Sequence, residues 1–208
     1  MQVKICGLRT VADALACATA GVDLAGLNFV PASRRYVGAG AAAVRAALGS
    51  VKPVGVFADT PADQIRAHAE AIDLSWIQLH GKETPADCAA LSGYAIIKAV
   101  DHDALSRPAD LRAYAPHVAA FLVDGRVPGS GRPWDFRTLQ PHLENGQLWK
   151  RPVFVAGGLD PENVAGVVTA LAPYGVDVAS GIEIDHRPDP GRITASCAAA
   201  RRARREAA

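Results

Sequence analysis

Two side chains in this sequence are of types that move protons, and each closes a short apolar run. Cys6 follows Gln2-Val3-Lys4-Ile5, and Asp124 follows Ala119-Ala120-Phe121-Leu122-Val123. A thiol, with an ordinary pKa of about 8.5, serves as a general base once nearby positive charge or dipoles stabilise its thiolate. A carboxyl group enclosed away from water keeps its proton and serves as a general acid. By position alone Cys6 is equally a small buried residue, and Asp124 equally a cap on the next turn. Gly157-Gly158 and Ser180-Gly181 suit a phosphate. Glycine lets backbone N–H groups approach the oxygens, and a helix N-terminus adds a favourable dipole. A lone Gly-Gly is also an ordinary tight turn. Arg35 could grip a carboxylate with two parallel hydrogen bonds, or stand solvated on the surface. The loop over 125–133 carries Gly125, Gly129 and Gly131. Such a loop can fold over a ligand, or simply connect two elements.

These residues need elements to bring them together. The strand candidates are 2–6, 24–29, 52–57, 75–79, 95–100, 119–123, 152–156 and 176–179. Alanine-rich helix candidates follow each one, at 10–20, 39–49, 61–72, 84–92, 103–114, 135–143, 160–172 and 191–205. Continuous apolar strands alternating with amphipathic helices indicate a parallel sheet covered on both faces. Thr60-Pro61 and Thr84-Pro85 put a capping hydroxyl before a first-turn proline, and Asp160-Pro161-Glu162-Asn163 repeats the device. Two prolines in 101–116 predict a short or broken fifth helix. Eight such units, about 26 residues each, close naturally into a (β/α)8 barrel. A doubly wound open sheet is the other arrangement this pattern permits. The fold class is therefore α/β, with residues 1–208 expected to form one barrel domain. In a barrel the loops after the strands build the site, and those after strands seven and eight commonly hold phosphate. Cys6, Arg35, Asp124, Gly157, Gly158, Ser180 and Gly181 all fall in such positions.

Composition narrows the partners. The 208 residues are half hydrophobic, enough for an aliphatic core without disulfides or metals. Twenty-two basic against 21 acidic residues leave a net charge of +1, so no global field favours nucleic acid. The apolar stretch 12–30 is interrupted by Asp13, Gly21, Asp23 and Asn28, against a membrane helix. No signal peptide precedes the first strand, and the four cysteines lie far apart with no CxxC pair. A reducing cytoplasm is the expected location. Cys17, Cys88 and Cys197 lie in alanine-rich stretches as packing residues. The basic end, 201–205, reads as a solvated helix terminus.

The motifs together resemble the phosphoribosylanthranilate isomerase family of tryptophan biosynthesis. They run in order over nearly the whole chain: Lys4-Ile5-Cys6-Gly7-Leu8, Ser33-Arg34-Arg35-Tyr36-Val37, Val54-Gly55-Val56-Phe57, Gln78-Leu79-His80-Gly81 and Ile97-Lys98-Ala99. Gly129-Ser130-Gly131-Arg132-Pro133-Trp134-Asp135-Phe136, Ala156-Gly157-Gly158-Leu159-Asp160-Pro161-Glu162-Asn163-Val164 and Val176-Asp177-Val178-Ala179-Ser180-Gly181-Ile182-Glu183 complete the series. The resemblance implies an Amadori rearrangement of N-(5-phosphoribosyl)anthranilate without metal or cofactor. It maps Cys6 onto the base, Asp124 onto the acid and Arg35 onto the arginine that meets the anthranilate carboxylate. It implies a small phosphorylated substrate and leaves monomer and homodimer both open. Arg34 stands where the family has proline, with its side chain expected in solvent. After Glu183 the family usually continues Ser-Ser-Pro-Gly-x-Lys-Asp, whereas this chain reads Ile184-Asp185-His186-Arg187-Pro188-Asp189. The histidine-pathway isomerase would end its first strand in aspartate, which Cys6 argues against. A ribulose-phosphate epimerase would need metal-binding His and Asp residues at several strand ends, where only His80 is suitably placed. A non-catalytic phosphosugar-binding barrel would have lost Cys6 or Asp124.

Overall fold

The structure, a computed structural model, describes residues 1–125, 135–144 and 150–206. Eight parallel strands close into a barrel in sequence order: β1 (Gln2–Cys6), β2 (Leu24–Asn28), β3 (Lys52–Phe57), β4 (Trp76–Leu79), β5 (Ala95–Asp101), β6 (Ala120–Asp124), β7 (Val153–Val155) and β8 (Gly175–Val178). Strand β1 pairs with both β2 and β8, which removes every sheet edge. Side chains alternate between the two faces of each strand. Ile5, Leu27, Phe57, Ile77, Phe121 and Val178 point outward into the layer under the helices and are wholly buried. Leu24, Val54, Ile97, Leu122 and Phe154 point inward and fill the barrel. Gly175 makes room for Phe154, because a Cβ there would stand 2.5 Å from the ring's Cε1.

The outer layer comprises α1 (Val11–Ala20), α2 (Ala41–Ala47), α3 (Ala62–Ala71), α4 (Pro85–Ala90), α5 (Pro108–Arg112), α6 (Gln140–Glu144), α7 (Val164–Leu171) and α8 (Pro190–Glu206). Reciprocal capping boxes start α1, through Thr10 and Asp13, and α4, through Thr84 and Asp87 with Pro85 behind the cap. The third helix departs from expectation. Pro61 itself occupies the cap position, and the Thr60 hydroxyl donates to the Ala58 carbonyl instead. Loop three is drawn down by Asp59, whose N–H donates to Glu83 and whose carboxylate accepts from Lys82 N–H. The fifth helical stretch is broken as its prolines require, into a 3-10 turn at His102–Ser106, α5 and a second turn at Ala115–His117. Regular α-helix α7 begins four residues after Asp160, whose carboxylate accepts from Glu162 and Asn163 N–H. A small antiparallel pair absent from the sequence reading, β9 (Glu183–Ile184) and β10 (Arg187–Pro188), precedes α8.

The long helix α8 packs against α1 and α7 and closes the outer ring. Its basic end is only partly solvated as expected. Arg201 turns back to the Gly21 carbonyl at the end of α1 and to Asp23. Asp23 in turn accepts the Val3 N–H, which ties the floor of the barrel together. No described helix is long and apolar enough to cross a membrane.

Lys98 faces out of the barrel and is 3% exposed. Its ammonium donates to Glu83 at 2.7 Å and to the carbonyls of Leu79 and Gly81. Glu83 also accepts the N–H groups of Asp59 and Gly81, so one buried ion pair pins loops three and four. Removing one partner of a buried pair leaves an uncompensated charge. Lys98→Met is expected to lower unfolding free energy by about 3–5 kcal/mol in urea titration. A loss near zero would show that the pair contributes nothing to holding these loops.

Candidate active site

The C-terminal mouth of the barrel holds a cavity of about 240 Å³. Cys6, Arg35, Asp124, Gly157, Gly158 and Ser180 all line it, so six of the seven residues expected from the sequence converge there. Gly181 does not line it. Its place is set by packing: a Cβ on Gly181 would lie 1.9 Å from the Leu159 carbonyl, so the glycine lets loops seven and eight touch. Its own carbonyl accepts from Arg192. The expected cover over 125–133 lies, from 126 onward, outside the described residues.

Cys6 ends β1 opposite Gly26 of β2, and only a glycine leaves room, since a Cβ there would stand 2.6 Å from the sulfur. Two residues earlier on the same face lies Lys4, wholly buried, with its ammonium 2.9 Å from the Asp177 carboxylate of β8. Lys4 and Asp177 are register partners across the β1–β8 seam. Burial works against the Lys4 charge, but Asp177 and Cys6 outweigh it and raise the ammonium's pKa. Burial raises the Cys6 thiol above its ordinary value, and Asp177 adds to the rise; the Lys4 ammonium and the Arg35 guanidinium offset only part of it.

Asp124 ends β6 and is 6% exposed. Its Oδ1 accepts the Gly125 N–H at 2.8 Å, which leaves Oδ2 for other chemistry. That oxygen lies 3.4 Å from His80 Nε2. Gln78 Nε2 lies 2.8 Å from His80 Nδ1, at the other edge of the ring from Asp124. Gln78 Oε1 is buried without a hydrogen-bond partner among the described residues. Sequence reading missed this Gln78–His80–Asp124 chain. The signal was there in parity, because residues 78 and 80 share the inward face of β4 and its extension.

Arg35 lies across Gly7, whose φ of +93° and bare Cα let the arginine stem pass; a Cβ there would stand 2.4 Å from Arg35 Cδ. Glu183 holds the guanidinium through Nε at 2.6 Å and Nη2 at 3.0 Å. The two-pronged grip expected for a ligand carboxylate is thus made with Glu183, because the loop after β8 folds back over the loop after β2. Glu183 engages Nε and Nη2 and leaves Nη1 unengaged. Arg34 is about half exposed, as expected, yet it also reaches Glu183 at 2.8 Å and His186. Two guanidiniums on one carboxylate leave a net positive charge at the rim.

Gly157 and Gly158 adopt φ of +89° and +71°, a backbone that glycine enters without steric cost. The Gly158 carbonyl is taken by Asn163 Nδ2 at 2.8 Å, and the planar trans peptide sends the Leu159 N–H the opposite way. Ser180 opens a 3-10 turn, Ser180–Ile182, beside them. Gly157, Gly158 and Ser180 thus bring backbone to the cavity wall.

Fold and cavity together are those of a (β/α)8-barrel whose mouth gathers ionisable side chains, the architecture of barrel enzymes. Residues 3–197 match the family described as N-(5'phosphoribosyl)anthranilate (PRA) isomerase. The chain belongs to the N-(5'-phosphoribosyl)anthranilate isomerase family. It is similar to N-(5'-phosphoribosyl)anthranilate isomerase of Myxococcus xanthus, 42% identical over 195 residues, covering 88% of this chain and 87% of the relative. The crystal structure of phosphoribosyl anthranilate isomerase from Thermus thermophilus superposes with a TM-score of 0.84 at 37% identity, covering 96% of this chain and 98% of that one. A further isomerase structure, in complex with reduced 1-(o-carboxyphenylamino)-1-deoxyribulose 5-phosphate, has a TM-score of 0.81 at 28% identity, covering 97% and 98%.

The four cysteines are separable by environment. Burial pushes Cys17 up to about 12 and Cys88 to about 11, and raises Cys197 as well. Only Cys6 among them lines the cavity. Limited alkylation with iodoacetamide above neutral pH should modify Cys6 first, as read by peptide mass spectrometry. Prior modification of any of the other three would remove Cys6 from the accessible mouth.

Proposed function

We propose that this chain performs the family's rearrangement with Cys6 as base and Asp124 as acid, converting N-(5-phosphoribosyl)anthranilate to 1-(2-carboxyphenylamino)-1-deoxyribulose 5-phosphate. The observation that carries the reading is that a thiol from β1 and a carboxyl group from β6 line one cavity across the barrel mouth. Asp124 protonates the ribose ring oxygen, and the ring opens to a Schiff base. The thiolate of Cys6 then takes the proton from the carbon next to the imine carbon. The resulting enolamine tautomerises to the ketone. One acid and one base suffice, and the reading needs no metal or cofactor.

The phosphate sits against the backbone of Gly157, Gly158 and Ser180, with Gly181 holding the two loops close. Binding energy from that end orients the reacting carbon. The anthranilate carboxylate meets Arg35 Nη1, with Arg34 offsetting the charge of Glu183. This reading takes 1–208 as one catalytic domain working on a small phosphorylated metabolite in the cytoplasm, without nucleic acid or membrane as partner.

Cys6→Ala and Asp124→Asn should each lower turnover by about 10²–10⁴-fold while circular dichroism stays unchanged. The assay is the fluorescence decay of phosphoribosylanthranilate. Folded variants with near-normal turnover would end the assignment.

A charge-assisted hydrogen bond contributes about 1.5–3 kcal/mol. Arg35→Ala should therefore lower kcat/KM by about 10- to 150-fold. Arg34→Ala, half exposed and acting through Glu183, should cost no more than about 5-fold. A substrate analogue lacking the carboxylate should be nearly indifferent to Arg35→Ala. Equal losses for analogue and natural substrate would make Arg35 a support for its loop alone.

A further inference from the structure

We infer that Lys4 and Asp177 are positioning residues that act through Cys6: Lys4 holds a cation beneath the sulfur, and Asp177 sets how much of that charge the sulfur feels. The inference deepens the proposed reading and rests on Cys6 being the base.

The geometry carries it. The interior of the barrel is otherwise aliphatic and aromatic at this depth, with Leu24, Val54 and Ile97 around the axis. An ion pair placed there loses its hydration, and apolar residues of similar volume would stabilise the fold as well or better. Lys4 is nonetheless wholly buried, its ammonium 2.9 Å from the Asp177 carboxylate, two residues before Cys6 on the same inward face of β1. Successive inward positions on one strand put Lys4 directly below Cys6. The β1–β8 register fixes Asp177 beside Lys4, and Asp177 also lines the cavity.

The charged groups that face the sulfur are Lys4 from β1, Asp177 from β8 and Arg35 from the loop after β2. Glu183 holds Arg35 in place. Gly26, the neighbour on β2, brings no charge. Lys4 and Arg35 favour the thiolate, and Asp177 opposes it. Lys4 cannot itself accept the thiol's proton while Asp177 keeps it charged. Its action is therefore that of a fixed cation, which favours the thiolate at each stage of the reaction without moving.

The two members of the pair therefore push the thiol in opposite directions, and this separates an electrostatic role from a structural one. The experiment follows the rate of Cys6 alkylation by iodoacetamide against pH, in the ligand-free protein, with mass spectrometry to confirm the site. Lys4→Met should move the midpoint up by about one to three units. Asp177→Asn should move it down. Where Lys4→Met fails to fold, the double variant Lys4→Met/Asp177→Asn leaves no orphan charge, and its midpoint should lie above that of Asp177→Asn. Coincident midpoints, or shifts of both single variants in one direction, would overturn the inference. So would a double variant whose midpoint equals that of Asp177→Asn. The readout needs no turnover. Normal turnover of Cys6→Ala would sink the acid–base reading and leave these shifts standing, whereas absent shifts with an inactive Cys6→Ala would sink only the role of the pair.

Discussion

A closed barrel of eight parallel strands gives each inward residue a fixed depth and no freedom to leave. That constraint organises everything else in this protein. Inward residues low on the strands must be apolar or paired, because water cannot follow them. Inward residues at the upper ends meet the cavity, and there the chain places Cys6, Gln78, Asp124 and Asp177. The chemistry is thus a continuation of the packing pattern by one more step along each strand. The cost of the arrangement appears where a charge is drawn below the mouth, at Lys4, and is offset chiefly by Asp177 at 2.9 Å.

Most of the architecture was legible in the sequence because strand burial and helix amphipathicity are local patterns. The eight strands appear within a residue or so of their expected ends, and Thr84-Pro85 caps as read. Thr60 misled because its helix start depends on loop three being pulled toward Glu83, a contact 24 residues away. The β9–β10 pair was invisible because two-residue strands carry no periodicity of their own. Cys6, Arg35, Asp124 and the glycine loops were legible by type and place. Gln78 and His80 were legible in parity but not in their meeting with Asp124, and Lys4 and Glu183 were not legible, since their partners come close only by barrel closure. His80 was weighed as a metal ligand, whereas its ring faces Asp124 and Gln78.

The departures from the family's motifs fall together in space. Arg34 replaces proline in the loop after β2, and the segment after Glu183 is altered in the loop after β8. In the structure these two changes touch, through Arg34 with Glu183 and His186 and through Arg9 with the carbonyls of Arg34 and His186. Both changes thus sit at the rim around Arg35, above the cavity that Cys6 and Asp124 line. The loop after β7 holds its shape by backbone means, with left-handed glycines and Asn163 on a carbonyl. A side chain on Gly181 would force the two loops apart even though it faces no ligand.

The seam between β1 and β8 has a consequence for the time course of biogenesis. Lys4 and Asp177 lie 173 residues apart in the chain. On the ribosome the first strand emerges long before its last neighbour exists. Contacts of such long sequence separation form late, after loop-closure entropy has been overcome. Throughout synthesis the nascent first strand therefore carries a lysine without its carboxylate and a cysteine without the finished wall around it. The mature electrostatic setting of the thiol arrives with the final strand. A ring sealed by an ion pair next to this thiol thus completes the thiol's surroundings only when the last strand joins.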